Sequence, residues 1–151
     1  MLPPFIYSGS LELKTTETPD SYLDYLQHKL DKAGAMHIAR EEGFVRFRDT
    51  RVNLIFAFSE PLSGITSAVI RAKNKNGNLL VKYEMHSWLV GTISLVMFLI
   101  GLITLTASQT TGLFEALVIS IPASAVVHLS LFLPSYLYLK KLLQEGRSRA
   151  G

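Results

Sequence analysis

The side chain in this sequence best placed to do chemistry is His128. It falls near the middle of an apolar run, with Ser124 and Ser120 at successive four-residue steps on the same helix face. An imidazole at membrane depth is expensive to bury, so it is expected to face protein or a cofactor instead of lipid. Three roles fit it. The favoured one is a neutral ring hydrogen-bonded across a helix interface to Ser94 or Thr92, or to Ser124 in its own helix. Haem or other tetrapyrrole ligation and proton relay are the alternatives. A two-histidine haem site needs a second ring at equal depth. The nearest other histidine, His86, belongs to the cytoplasmic edge, whereas His128 is expected about ten residues, or roughly 15 Å, further in. One protomer therefore does not supply both ligands, although two copies or a partner subunit would.

Glu115 is the one acid within the apolar stretch; its position argues for a plain role, with a proton or cation entry site as the alternative. With Gly112 as N-cap it becomes the third helical residue, where a carboxylate meets free backbone N–H groups and the positive end of the helix dipole. Arg46 and Arg48 lie two apart and so share one strand face, with Arg40 and Arg51 in adjacent segments; they are candidates for holding an anion. Glu41, Glu42 and Asp49 beside them favour an ordinary solvated face. Tyr22 and Tyr25 are expected at the rim of a core. No phosphate-binding glycine loop, dinucleotide turn, nucleophile elbow or paired-histidine metal motif is present in the sequence, and catalysis is not expected. The absence of cysteine removes thiol nucleophiles and thiolate metal sites.

The elements that must position these residues are dominated by two apolar spans. A helix needs about 20 apolar residues to cross a hydrocarbon core of about 30 Å. Residues 88–105 and 113–137 each approach that length, joined by the polar stretch 106–112. The chain thus divides into an α+β domain over 1–86, a transmembrane hairpin over 87–139, and a basic tail over 140–151. Pro122 is expected to kink the second span and leave the carbonyl of Val118 short of a donor. Small residues Gly91, Ser94 and Gly101 on one span, with Ser120 and Ser124 on the other, allow close helix approach. Trp88, Tyr136 and Tyr138 suit the headgroup level, as amphipathic aromatic rings do.

Orientation follows from charge. Arg71, Lys73, Lys75 and Lys82 precede the first span, Lys140, Lys141, Arg147 and Arg149 follow the second, and the connecting loop has neither Lys nor Arg. Residues 1–5 lack the basic and apolar regions of a secretory signal. Both termini are therefore expected on the cytoplasmic side, of a bacterial inner membrane in particular. Residues 1–86 carry eleven Lys/Arg against ten Asp/Glu, which does not suggest a nucleic-acid partner.

Within the domain, Phe5, Tyr7, Leu11 and Leu13 alternate with polar residues as in a half-buried strand. Thr18-Pro19-Asp20 opens a helix that runs to about Ala33, its buried face made by Leu23, Leu26, Leu30 and Ala33, with Gly34 at the C-terminal turn. Strands are then expected over 36–40, 44–48, 52–58, 65–73 and 79–86, giving the order β-α-β-β-β-β-β with one helix on a mainly antiparallel sheet. Asn76-Gly77 suits a type I′ hairpin turn. That turn sets Lys75 opposite Asn78 and puts Ala68, Ile70, Ala72, Val81, Tyr83 and Met85 on one face. The last strand runs straight into the first span, which would bring Leu62 back to the membrane interface.

The favoured reading is a non-catalytic accessory or scaffolding subunit of a larger membrane complex, in contact with lipid and with other subunits or its own copies, and needing no cofactor. A module that binds lipid or an anionic ligand near Leu62 and the arginines is the alternative. A haem- or pigment-bearing subunit built on His128 comes third.

Overall fold

The structure, a computed structural model, describes residues 6–48, 61–107 and 112–145. The chain forms β1 (Ile6–Leu13), α1 (Pro19–Lys32), β2 (Ala39–Glu41), β3 (Phe44–Arg48), β4 (Ser67–Lys75), β5 (Asn78–His86), α2 (Trp88–Ala107) and α3 (Leu113–Glu145). The five strands make one antiparallel sheet in the order β1-β5-β4-β3-β2. The strand expected over 52–58 lies outside the described residues, as does Arg51.

Local sequence chemistry accounts for the element ends. The Thr18 hydroxyl accepts from the Ser21 N–H, Pro19 opens α1, and Gly34 takes the left-handed conformation at φ +81°. Asn76 and Gly77 both adopt positive φ, and β4 pairs with β5 in the register that the turn dictates, Lys75 with Asn78 and Ile70 with Tyr83. The strand expected over 36–40 is shorter. His37 has φ +47°, which breaks the extended backbone, so β2 begins only at Ala39.

One sheet face is buried. Its core comprises Val45, Phe47, Ala68, Ile70, Ala72, Val81, Tyr83 and Met85 from the strands, with Tyr22, Leu23, Leu26 and Leu30 from α1. Two helices contribute to this core where the sequence pattern suggests one. Leu139, Leu142 and Leu143, in the last turns of α3, enter it fully, and the Tyr22 hydroxyl donates to the Leu143 carbonyl at 2.9 Å. Residues 140–145 therefore do not form a free basic tail. Tyr22 is likewise not at the rim, being completely buried. Burying each of these leucines contributes about 1.5–3 kcal/mol.

α2 and α3 pack as an antiparallel pair. A Cβ on Gly101 would meet the Ser120 Oγ at 3.2 Å, and Ser94 faces His128 further along. Both helices are long and apolar enough to cross a membrane. Their outer surfaces expose Leu95, Ile100, Ile103, Phe114, Ile121, Val126 and Leu129, each more than half accessible. α3 contains Pro122 and Pro134 and continues through both. With 33 residues it spans about 50 Å, against about 30 Å for the 20 of α2. The excess length is the part that packs on the sheet.

Candidate functional site

The end of β5 and the start of α2 meet α3 in a polar seam. Ser87, fully buried, donates its hydroxyl to the Gly64 carbonyl at 2.8 Å, and the Gly64 N–H donates to the Ser135 hydroxyl at 2.9 Å. A Cβ on Gly64 would lie 2.6 Å from the Leu131 carbonyl oxygen, so only glycine lets this loop touch α3 so closely. Thr66 closes the corner by donating to the His86 carbonyl and accepting from the Trp88 N–H. Leu62, in the same loop, is 2 % exposed and belongs to the core, so its side chain turns into protein. The loop docks on α3 and carries Leu62 with it.

His128 sits one step beyond this seam. The Tyr7 hydroxyl lies 2.8 Å from its Nε2, and the Ser94 hydroxyl 3.4 Å from its Nδ1. Ser94 also donates to the Val90 carbonyl at 2.8 Å, which commits its only proton. Ser94 then accepts from Nδ1–H, and Nε2 is left with the lone pair that takes the Tyr7 proton. In a neutral ring the proton is then on Nδ1. Burial pushes the Tyr7 phenol up, keeping it protonated as the donor this chain of bonds requires.

Aromatic rings extend the site along α3. Tyr7 stacks on Phe132 with centroids 4.0 Å apart and planes 20° from parallel, and Phe132 continues to Tyr136 at 5.7 Å. Tyr83 joins from β5, its phenol interacting electrostatically with that of Tyr136. Its phenol is pushed up to about 12, first by burial and then by the neighbouring Tyr136 phenol. Gly9 makes room: a Cβ there would sit 2.4 Å from the Tyr83 hydroxyl. The result is a filled aromatic seam between sheet and helix pair, with a short hydrogen-bond chain at its far end.

No family model matches this chain, and no curated protein or solved structure is significantly similar to it.

The His128 partner Ser94 is about six residues, hence about 9 Å, past the start of α2 at Trp88. The sheet domain reaches this level through Tyr7. Ligation of a haem iron by Nε2 would have to displace the Tyr7 hydroxyl. The expected hydroxyl of the first span does face the ring, but the closer partner comes from a strand. Tyr7 was legible as a core-facing residue of β1, and Phe132 and Tyr136 recur at four-residue steps from His128. Only the strand's reach along α3 was missing from the pattern.

The remaining candidates fall elsewhere. Ser120 is buried, and its hydroxyl finds no partner among the described residues, whereas Ser124 spends its hydroxyl on the Ile121 carbonyl of its own helix. Gly91 is buried near the start of α2. Glu115 accepts from the Gly112 N–H at 3.4 Å, the back-reaching contact of a capping residue. Trp88 is 56 % exposed, Tyr138 is exposed, and Tyr136 is half-buried in the seam. The three described arginines of the candidate set, Arg40, Arg46 and Arg48, do not form one group. Arg40 turns to the α1 side, onto Asp20 at 2.6 Å and Asp24 at 3.2 Å, while Arg46 and Arg48 lie on the opposite, uncovered sheet face, with Arg46 on Glu41 at 2.9 Å. Among the described residues no cluster of His, Asp and Glu is arranged to hold a metal ion.

Proposed function

We propose that this chain is a non-catalytic integral membrane protein whose cytoplasmic α+β domain is held rigidly on a two-helix membrane hairpin, and that it serves as an accessory or scaffolding subunit of a larger membrane assembly. The observation that carries this reading is the continuity of α3. One unbroken helix presents large apolar side chains outward over most of its length and ends as part of the domain's core. Apolar surface of that extent favours lipid or a membrane partner. The tie to the core, together with the Ser87–Gly64–Ser135 and Tyr7–His128 contacts, fixes the domain to the hairpin without a linker. A domain so fixed is suited to holding a second protein at a set height and angle above the bilayer.

Extraction in a mild detergent tests the assembly reading: stoichiometric partners should accompany the chain, and a clean monomer would count against it. Orientation is tested separately, because the chain has no cysteine of its own. Gly112→Cys should react with an impermeant maleimide added to intact cells, and Lys75→Cys only after permeabilisation. The reverse pattern would overturn the cytoplasmic placement.

A further inference from the structure

The sheet face turned away from the helices is unexpectedly cationic. Arg46 and Arg48 on β3, Arg71 and Lys73 on β4, and Lys82 on β5 share it, all exposed. Among the described residues the acids on the same face already have partners: Glu41 pairs with Arg46, Glu84 with His86 at 3.1 Å, and Glu12 accepts from the Asn78 amide at 2.7 Å. Arg71 stands directly opposite Lys82 in the ladder between two interior strands. Like charges in that position oppose pairing, and the fold does not require them. Half-buried Phe44, Val69 and Leu80 lie among the cations, so apolar area is offered with the charge.

We propose that this face docks an acidic, amphipathic segment of a protein partner, with carboxylates on Arg71, Lys82 and Lys73 and apolar side chains against Phe44, Val69 and Leu80. The proposal rests on the accessory-subunit reading and names the surface it would use. Charge complementarity selects an acidic occupant, and the spread of the cations selects protein over lipid. Arg48 pairs with Ser67 at the strand end beside α2, whereas Lys73 lies six residues further along β4, about 20 Å away. With strands rising from the membrane, a planar layer of headgroups engages one end only, since charge is screened over about 8 Å at physiological salt. A segment lying along the strands engages the whole set.

The test uses the full chain in mild detergent and a fluorescein-labelled peptide of alternating glutamate and valine. The peptide should bind at low salt and weaken as salt rises. Arg71→Glu with Lys82→Glu should reduce affinity by about tenfold or more. Should the double variant unfold, Arg71→Gln and Lys82→Gln singly should each reduce it about threefold. Absence of peptide binding, or equal binding by the variants, overturns the proposal. A fluorophore on Lys82→Cys that reports lipid proximity only in phosphatidylglycerol vesicles gives the face to the membrane and overturns it as well. Co-purification separates the two readings. Partners retained equally by wild type and double variant leave the subunit role standing and refute this face, whereas no partner with either refutes the subunit role itself.

Discussion

The bond between Tyr7 and His128 can be tested by a double-mutant cycle in which the two singles do more damage than the pair. Tyr7→Phe removes only the hydroxyl. The ring and its stack on Phe132, 4.0 Å between centroids, stay in place, but Nε2 loses the donor 2.8 Å away. An acceptor stranded in a poorly solvated seam costs about 1–3 kcal/mol. His128→Leu keeps a similar volume and strands the Tyr7 hydroxyl instead, at a comparable cost. Ser94 is little affected, since its proton already goes to the Val90 carbonyl. In the double variant both polar groups are gone and two apolar surfaces meet, so stability should return to within about 1 kcal/mol of the wild type. The coupling is then about 1–3 kcal/mol in the sense that the second substitution rescues the first. Denaturant titration in mild detergent measures it, followed by the fluorescence of Trp88, the sole tryptophan, which sits at the start of α2 beside the seam. Additive losses, or a double variant less stable than either single, would refute the hydrogen-bonded assignment of His128.

Four further outcomes are expected. Gly64→Ala sets a methyl 2.6 Å from the Leu131 carbonyl, and the same titration should show a loss of about 1–3 kcal/mol with faster amide exchange at the start of α2. Leu143→Ala should remove about 2–5 kcal/mol, because the side chain is fully buried where α3 enters the core; a loss under 1 kcal/mol would mean that this turn is not packed as described. Lys82→Glu should stabilise the sheet by about 0.2–1 kcal/mol by replacing a repulsion opposite Arg71 with an attraction, and destabilisation would contradict the cross-strand register. The Tyr83 phenol ionises near 10 when unfolded and about 12 when folded, so its contribution is complete below pH 10 and is lost as pH rises toward 12. Stability should therefore fall across that window, and Tyr83→Phe should flatten the slope.

Much of the domain was legible because local rules agreed with one another. Thr18-Pro19, Gly34 and Asn76-Gly77 fix element ends through backbone geometry alone, and the hairpin register follows from the turn once the apolar faces match. What local pattern does not carry is which distant surfaces meet. Leu139, Leu142 and Leu143 have helical spacing, but the basic residues around them suggest a solvated tail; that they belong to the core depends on α1 lying across the sheet to receive them. Leu62 follows the same logic: its loop returns to the helix pair, but Gly64 brings it so close to α3 that the leucine enters the core. His128 was legible as a group in need of a partner, because burial alone demands one. That the nearer partner is Tyr7, 121 positions away, follows only from the strand running alongside α3.

Three of the contacts between domain and helix pair bear on how the proposed subunit would work. They lie at different heights along α3: His128 with Tyr7, Ser135 with Gly64, and Leu143 with Tyr22. From the first to the last is 15 residues, about 22 Å of helix. A single contact would leave the domain free to pivot, and two to hinge about the line joining them. Three, supported by the stacked rings between them, resist both. Rocking the domain would break a hydrogen bond at one end of the seam and compress Gly64 on Leu131 in the middle. The cationic face would consequently be presented at a fixed orientation to the hairpin. On the accessory-subunit reading this rigidity lowers the entropy lost when a partner docks, because less freedom has to be surrendered on binding. Loosening the seam by Gly64→Ala should then weaken partner retention although no residue of the cationic face has changed, and undiminished retention in a demonstrably looser variant would separate the anchor from the docking role.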